Sequence, residues 1–594
     1  PMAIVIDVEC YKNFFLFYAL NTKTRTTRII PMYEGCPLDE DLLRATMQLE
    51  TVSFNGLKYD LAIISAALSG WDCARLHKLS NDIIQSKLPI YKVLQNHKLK
   101  LPYYNHIDLI EVAIGQASLK IYGGRLNAQK MQDLPIDPQS FISPEQREIL
   151  TKYCYNDLEL TELLYNKLLA QIELRRSMSK QYGMDLKSKS DAQIAEAVIK
   201  SELSAITEQM YKPRTFPPGY IFYYKNPKII FFHTDQLTDV FNKLLKEPFQ
   251  LSESGSVQMP VWLAKQKIRI GTTDYQMGIG GLHSCEKGQY IESKNKYLLS
   301  DYDVTSFYPS IILQQELYPE SMGEEFLALY QSIVDRRIVA KKNKDDVEAN
   351  TLKIVLNGSY GKFGSKYSGL YSPELLLQTT LTGQLSLLML IETLEANGIK
   401  VISANTDGIV TYYYEDKREL LEQLLFDWEL DTSYNLEETV YQAIASRDVN
   451  NYIAIKTDGK VKGKGCFADP SLSKNPDGQI IYEAVITKVS KGIPLRKTIT
   501  ECTDITKFVT VRTVNGGAVI GDKYLGKAIR FYHSNSTELT DATINYAKNG
   551  NKVPNSQSCR PLMDLPEKFP SDVDYSYYYD KAKELLADIG YKNA

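Results

Sequence analysis

The sequence predicts a multidomain α/β protein, and three observations predict it. The chain has 594 residues, which at roughly 100–200 residues per domain makes room for about three to five domains. It is 44% hydrophobic and 24% charged, an ordinary balance for a protein that buries sizeable cores. Short apolar runs of strand length are interleaved with longer stretches of helical period.

Residues 3–20 run or alternate apolar in strand-length pieces. Residues 145–182 read as one long helix, with Ser143 as N-cap and Pro144 behind it. The Pro-rich stretch 211–220 (YKPRTFPPGY) breaks regular structure, and a boundary is expected there. Residues 297–304 (YLLSDYDV) read as a strand, and 324–343 and 349–360 as two helices joined by the polar turn NKDDVE. Residues 400–414 (KVISANTDGIVTYYY) read as strand, tight turn, strand. Mixed structure with Gly-rich turns follows 466, and 577–588 reads as a terminal helix.

The opening PMAIVIDVEC has neither a basic n-region nor an apolar h-region, so no secretory signal is expected, and Pro1 reads as an expression remnant. No run of 18 apolar residues occurs, so no membrane span is expected. The 8 cysteines form no CxxC pair, which argues against zinc modules and disulfides and for a reducing, cytoplasmic compartment. Net charge is −3, so positive charge for a nucleic-acid partner must be local. Arg336, Arg337, Lys341 and Lys342 form one basic cluster, and Lys456, Lys460, Lys462 and Lys464 another. Taken alone, such runs are more often solvated faces. The 41 tyrosines suit base stacking.

In IVIDVEC, Asp7 and Glu9 are two apart on a strand and share a face. Two like charges in an apolar run are costly unless divalent cations neutralise them; the other reading is an edge strand with a wet acidic face. Asn55 and Asp60 follow in SFNGLKYDLAII, Asp108 in NHIDLIEVA, and Tyr153 and Asp157, one helical turn apart, in KYCYNDLEL. Here the chain resembles the DnaQ-like, RNase H-like 3′–5′ exonuclease domain of family B DNA polymerases: DxE, then Nx3[FY]D, then Yx3D. The resemblance implies that Asp7, Glu9, Asp60 and Asp157 bind two Mg²⁺ or Mn²⁺ ions, that Tyr153 orients the attacking water, and that Asn55 contacts the single-stranded 3′ end. Asp108 is expected to be structural.

DYDVTSFYPSII places Asp303 at a strand end before a turn, where an isolated Asp is commonly a helix cap. Asp407 lies in NTDG, and Asp-Gly is a common hairpin turn that needs no catalytic explanation. Yet two metals about 3.5–4 Å apart need carboxylates from converging strands, and a tight hairpin can supply one. In KIVLNGSYGKFGS, Lys353, Asn357 and Tyr360 fall on one helix face, and Arg337 and Lys341 form a second cationic ridge on the preceding helix. A triphosphate needs such a clamp, although a basic solvated hairpin is the bland alternative.

These segments resemble motifs A (DxxSxYPS), C (DTDS) and B (Kx3NSxYG) of family B polymerases. The resemblance implies a right-hand polymerase: palm with antiparallel sheet, short helical-hairpin fingers, and thumb. By it Asp303, the Val304 carbonyl and Asp407 bind two catalytic metals. Tyr308 lies against the deoxyribose and excludes a 2′-hydroxyl, while Arg337, Lys341, Lys353, Asn357 and Tyr360 bind the nucleotide. Asn405, Gly408 and Gly358 depart from the motifs; metal preference and fidelity are what the departures at 405 and 408 put in doubt. GIGGLHS, with Gly280 and Gly281, resembles the template-binding segment, although Gly278 replaces its Tyr. NNYIAI…GKVKGKG resembles the KxY region, with Asn450 for Lys, and Tyr452 and Lys464 are expected at the primer terminus.

The expected domains are 1–185 (exonuclease), 186–290 (linker and start of palm), 291–323 with 362–465 (palm), 324–361 (fingers) and 466–594 (thumb). Asp303 and Lys353 are 50 residues apart, and Gly361 and Asp407 are 46. These intervals are short for protein-primed phage enzymes, and a compact, phage-type monomer is expected. Its partners would be primer–template DNA, dNTPs and a processivity factor or other replisome proteins, with no membrane. The competing readings are a nuclease or DNA-binding repair factor with a degenerate polymerase domain, and a non-enzymatic nucleic-acid scaffold.

Overall fold

The computed structural model describes residues 2–592, which divide into two compact units. The first comprises the chain to Ser190 with 470–480 and 500–578; the second comprises 191–469, 481–499 and 579 onward.

The first unit is built on a sheet of β1 (Ile4–Tyr11), β2 (Phe14–Asn21), β3 (Thr27–Tyr33), β4 (Thr51–Ser53) and β5 (His106–Asp108), in the order β3-β2-β1-β4-β5. The first three strands form an antiparallel meander, and β4 and β5 run parallel to β1. β2 is apolar from Phe14 to Leu20 because both faces of the sheet are covered. Leu16 packs in a cluster with Val5, Leu150 and Leu158, and Phe15 and Phe17 in another with Ile63 and Leu76.

The helix expected over 145–182 is two, α1 (Pro144–Lys167) and α2 (Leu169–Tyr182). Ser143 and Gln146 form a capping box around Pro144, as the sequence signals. The break falls at Leu168, whose backbone leaves helical dihedrals (φ −92°, ψ 7°) while its side chain stays in the core.

The antiparallel pair Thr510–Ile520 and Lys523–His533 also belongs to this unit. It docks on the helix Leu119–Arg125, where Gly124 meets Val511 and the buried Arg530 donates from Nη1 to the Ala128 carbonyl at 2.7 Å. Residues 466–594, expected as one domain, are thus divided between the two units.

The second unit holds a seven-stranded antiparallel sheet of β6 (Gln289–Glu292), β7 (Tyr297–Val304), β8 (Lys400–Asn405), β9 (Gly408–Tyr414), β10 (Leu436–Asp448), β11 (Asn451–Lys456) and β12 (Val461–Lys464). Its order is β8-β9-β7-β10-β11-β12, with β6 pairing β10. The strand and the hairpin expected over 297–304 and 400–414 are β7 and β8–β9.

Three helices flank the site residues: α3 (Asp191–Thr207), α4 (Glu325–Lys342) and α5 (Asp346–Phe363). The last two are the expected hairpin, and the Asp345 side chain caps α5 by accepting from Glu348 N at 3.1 Å. Gly358 lets α3 approach, since a Cβ there would stand 2.8 Å from Ala195 Cβ. That packing explains glycine where the resembled motif has serine. The helix α6 (Pro373–Ala396) is long and apolar enough to cross a membrane by composition, but it is buried in this unit's core. Its Gln384 clamps Gly278, accepting from its N–H at 2.9 Å and donating to its carbonyl at 2.7 Å. The stretch 211–220 holds no helix or strand, but the units divide earlier, between 190 and 191.

Candidate active sites

In the first unit β1 presents Asp7 and Glu9 on one face. Asp60 opens the helix Asp60–Leu68, and its Oδ1 accepts from Val8 N at 3.2 Å, which ties it to the same strand. α1 brings Tyr153 and Asp157. The Lys120 ammonium bonds Asp157 and lies 4.5 Å from the Tyr153 ring. One lysine among four carboxyl groups leaves uncompensated negative charge. Burial and then Glu9, Asp157 and Asp60 hold the Asp7 carboxyl well above the usual range, with Lys120 opposing. Burial also raises Glu9 and pushes Asp60 to about 7. The oxygen donors of Asp7 and Glu9 under such repulsion fit a hard divalent cation such as Mg²⁺ or Mn²⁺, while Asp60 and Asp157 lie outside their 4.8 Å ligand group.

Asp7, Glu9 and Cys154 place candidate ligand atoms within 4.8 Å of one another. Burial and Asp7 push the Cys154 thiol far up, so it stays protonated and donates to Asp7 Oδ2 at 3.5 Å. Asn55 sits in the left-handed region (φ 66°), and its N–H donates to Asp108 Oδ1 at 2.7 Å. Leu57 N donates to Asp108 Oδ2 at 3.1 Å, so Asp108 braces this loop.

In the second unit Asp303 on β7 is flanked by Gly408 of β9 and Glu437 of β10. Asp407 lies in the β8–β9 turn, and its carbonyl accepts from Val304 N at 2.8 Å. A backbone ladder therefore fixes the two acids relative to each other. Burial, then Asp301 and Asp407, push Asp303 to about 6, while Lys462 and Lys464 oppose. After Val304 the chain turns through Ser306 at φ 46°, a costly conformation for serine, and enters the helix that carries Tyr308.

Two cavities meet at Asp407. The larger, about 510 Å³, is lined by Val304, Tyr308, Arg337, Lys341, Lys353, Asn357 and Tyr360. The two expected cationic ridges thus line one cavity. The Tyr308 and Tyr360 rings stack at 4.6 Å, and Tyr308 OH donates to the Gly280 carbonyl at 3.0 Å. Gly281 lies against Thr406, where a Cβ would stand 2.6 Å from Oγ1. Arg337 Nε, Tyr330 OH and Tyr360 OH are buried without a hydrogen-bond partner, although all three residues line this cavity. An anionic ligand would satisfy such groups. The smaller cavity, about 220 Å³, is lined by Asp303, Asn405, Tyr452 and Lys464, and by Asp301 and Lys462.

Sequence reasoning missed Lys120, Asp301, Tyr330 and Glu437. Asp301 carried a signal, two residues before Asp303 on an expected strand. Lys120 and Glu437 reach their sites through tertiary pairing that no local pattern records.

No family model matches the chain. It is 26% identical over 208 residues to DNA polymerase 1 of Aeropyrum pernix, covering 28% of this chain and 21% of that protein. It is 29% identical over 131 residues to DNA polymerase 1 of Sulfolobus acidocaldarius, covering 21% of this chain and 14% of that protein. These relatives are DNA polymerases. The chain matches only 14% to 21% of their length. Among solved structures it is similar to the family B DNA polymerase of Pyrobaculum calidifontis, at 13% identity and a TM-score of 0.42, covering all of this chain and 79% of that one. The resemblance to DNA polymerases that the motifs carry thus recurs in these sequence matches, which span 21% and 28% of this chain.

Proposed function

We propose that the chain is a template-directed DNA polymerase with a 3′–5′ proofreading exonuclease. The observation that carries the reading is the backbone ladder between Asp303 and Asp407, with Asp407 lining a cavity together with Arg337, Lys341 and Lys353. Divalent metals at each acidic site would neutralise charge and activate the nucleophile. Asp303, the Val304 carbonyl and Asp407 would hold them in one unit, and Asp7, Glu9, Asp60 and Asp157 in the other. Arg337, Lys341 and Lys353 clamp the dNTP triphosphate. Tyr308 closes on its sugar, and Asn357 and Tyr360 complete its pocket. Gly280, Gly281, Tyr452 and Lys464 contact primer–template DNA, and Asn55 receives the frayed 3′ end.

In this reading β7 to β12 form the palm, the α4–α5 hairpin the fingers, and the first unit an RNase H-like exonuclease domain. The part of 466–594 that stays with the second unit serves as thumb. The matched relatives are archaeal, so the phage origin rests on family analogy alone.

Primer extension with dNTPs and Mg²⁺ or Mn²⁺ tests the proposal. Asn405 favours a second reading, a nuclease whose polymerase site has degenerated. Wild-type protein that degrades single strands but never extends a primer would establish that reading instead.

A further inference from the structure

Beside Asp303, in the smaller cavity, lies a partly buried cluster that the proposed chemistry does not use. Asp301 is 5% exposed and shares the face of β7 that carries Asp303. Its Oδ2 accepts from the hydroxyl of Tyr441, fully buried on β10, at 2.6 Å. Lys462 Nζ lies 3.8 Å from the same oxygen and donates to the Tyr441 hydroxyl at 3.4 Å. Lys462 belongs to β12, so its side chain crosses β11 to reach these partners.

The bland account is a buried acid with its counter-ion. The two do pair, but loosely. A charge-assisted N–H···O bond closes to about 2.7–2.9 Å, whereas this pair stands at 3.8 Å and Tyr441 already occupies the oxygen. An ammonium has three donors; this one reaches the Tyr441 hydroxyl and the Asp301 carboxylate only at long range, and its side chain, 29% exposed, lines the cavity. Lys462 is restrained without being saturated. The phosphodiester next to a 3′-hydroxyl is that hydroxyl's nearest charged group. Asp303 and Asp407 line the same cavity as Lys462 and Lys464, so a hydroxyl held by the two acids has that cavity beside it for its phosphate.

We propose that Lys462 binds the last phosphodiester of the primer strand, and that Asp301 and Tyr441 are positioning residues that hold its ammonium there. The proposal rests on the polymerase reading above.

The test is anisotropy titration of the full chain with primer–template DNA across a salt series, with single-turnover dNTP insertion beside it. Lys462→Met is expected to weaken binding about tenfold and to lower the slope of log K against log salt by about 0.9, the signature of one lost phosphate contact. Lys462→Arg should keep the slope. Asp301→Asn should weaken binding less, and the double variant should bind no worse than Lys462→Met alone. Saturation by dNTP should not change in any of them. Should Lys462→Met not fold, Lys462→Gln is read the same way. An unchanged slope, or additive losses in the double variant, overturns the proposal. If the wild type binds primer–template but never extends it, the polymerase reading fails while the contact is still judged by the slope.

Discussion

Gly408 stands directly opposite Asp303 in the antiparallel ladder, and a Cβ built on it would collide with Asp303 Oδ1. The glycine that departs from the resembled DTDS motif therefore makes room for the carboxylate beside it. Restoring the motif by Gly408→Ser should displace that carboxylate. Misplacement by about 1 Å can cost a hundredfold in rate, so single-turnover primer extension should fall at least tenfold while exonuclease activity stays unchanged. Extension at the wild-type rate would mean that Asp303 tolerates the side chain.

Asp407 and Asp7 serve separate sites in the proposed function, and they lie in separate compact units. Asp407→Ala should abolish extension, a loss of at least a hundredfold, and leave degradation of a single-stranded oligonucleotide intact. Asp7→Ala should do the reverse. The two assays, run on the same preparations with Mg²⁺, check both; loss of both activities in either variant would point to a shared fold defect.

The parts legible in the sequence are those set by local chemistry. β7, the β8–β9 hairpin and the α4–α5 hairpin follow from strand period, an Asp-Gly turn and a capping Asp345. The break at Leu168 was not legible, because apolar positions continue on both sides of it. Nor was the placement of 510–533, whose docking depends on Arg530 meeting Ala128, 402 positions earlier. The acids of both sites were visible as motifs. Their pairings were not: Lys120 meets Asp157, and Lys462 meets Asp301, only after the elements between them have packed.

Tyr308 is held from two sides, by its stack on Tyr360 at 4.6 Å and by its hydroxyl on the Gly280 carbonyl at 3.0 Å. A ring so fixed can act as a steric wall against a 2′-hydroxyl. Tyr308→Ala should raise ribonucleotide insertion relative to deoxynucleotide at least tenfold, whereas Tyr308→Phe keeps the ring and should change it little. Competition between rNTP and dNTP in primer extension reads the ratio; an unchanged ratio in the alanine variant removes the steric role.

His106 on β5 is buried between two hydroxyls, Thr51 Oγ1 at 2.7 Å from Nδ1 and Ser53 Oγ at 2.8 Å from Nε2. A neutral ring donates at one nitrogen and accepts at the other, which suits this pair. Burial, and then the charge of Lys187, lower its pKa from 6.5 to about 4. Between those values the unfolded chain binds the proton and the folded chain does not. The stability this histidine contributes is therefore full above about pH 6.5 and is lost as pH falls towards 4, by about 3 kcal/mol in total. Asp108 on the same strand has the opposite sign. Burial raises its pKa to about 6, so it favours the folded state as pH falls through that value and masks part of the histidine's effect. Comparing variants separates the two. In calorimetry with chelator present, His106→Gln should melt below the wild type at pH 7.5, and the gap should narrow by several degrees at pH 5. A gap that stays constant across that range would mean that His106 takes up its proton in the folded protein as easily as in the unfolded chain.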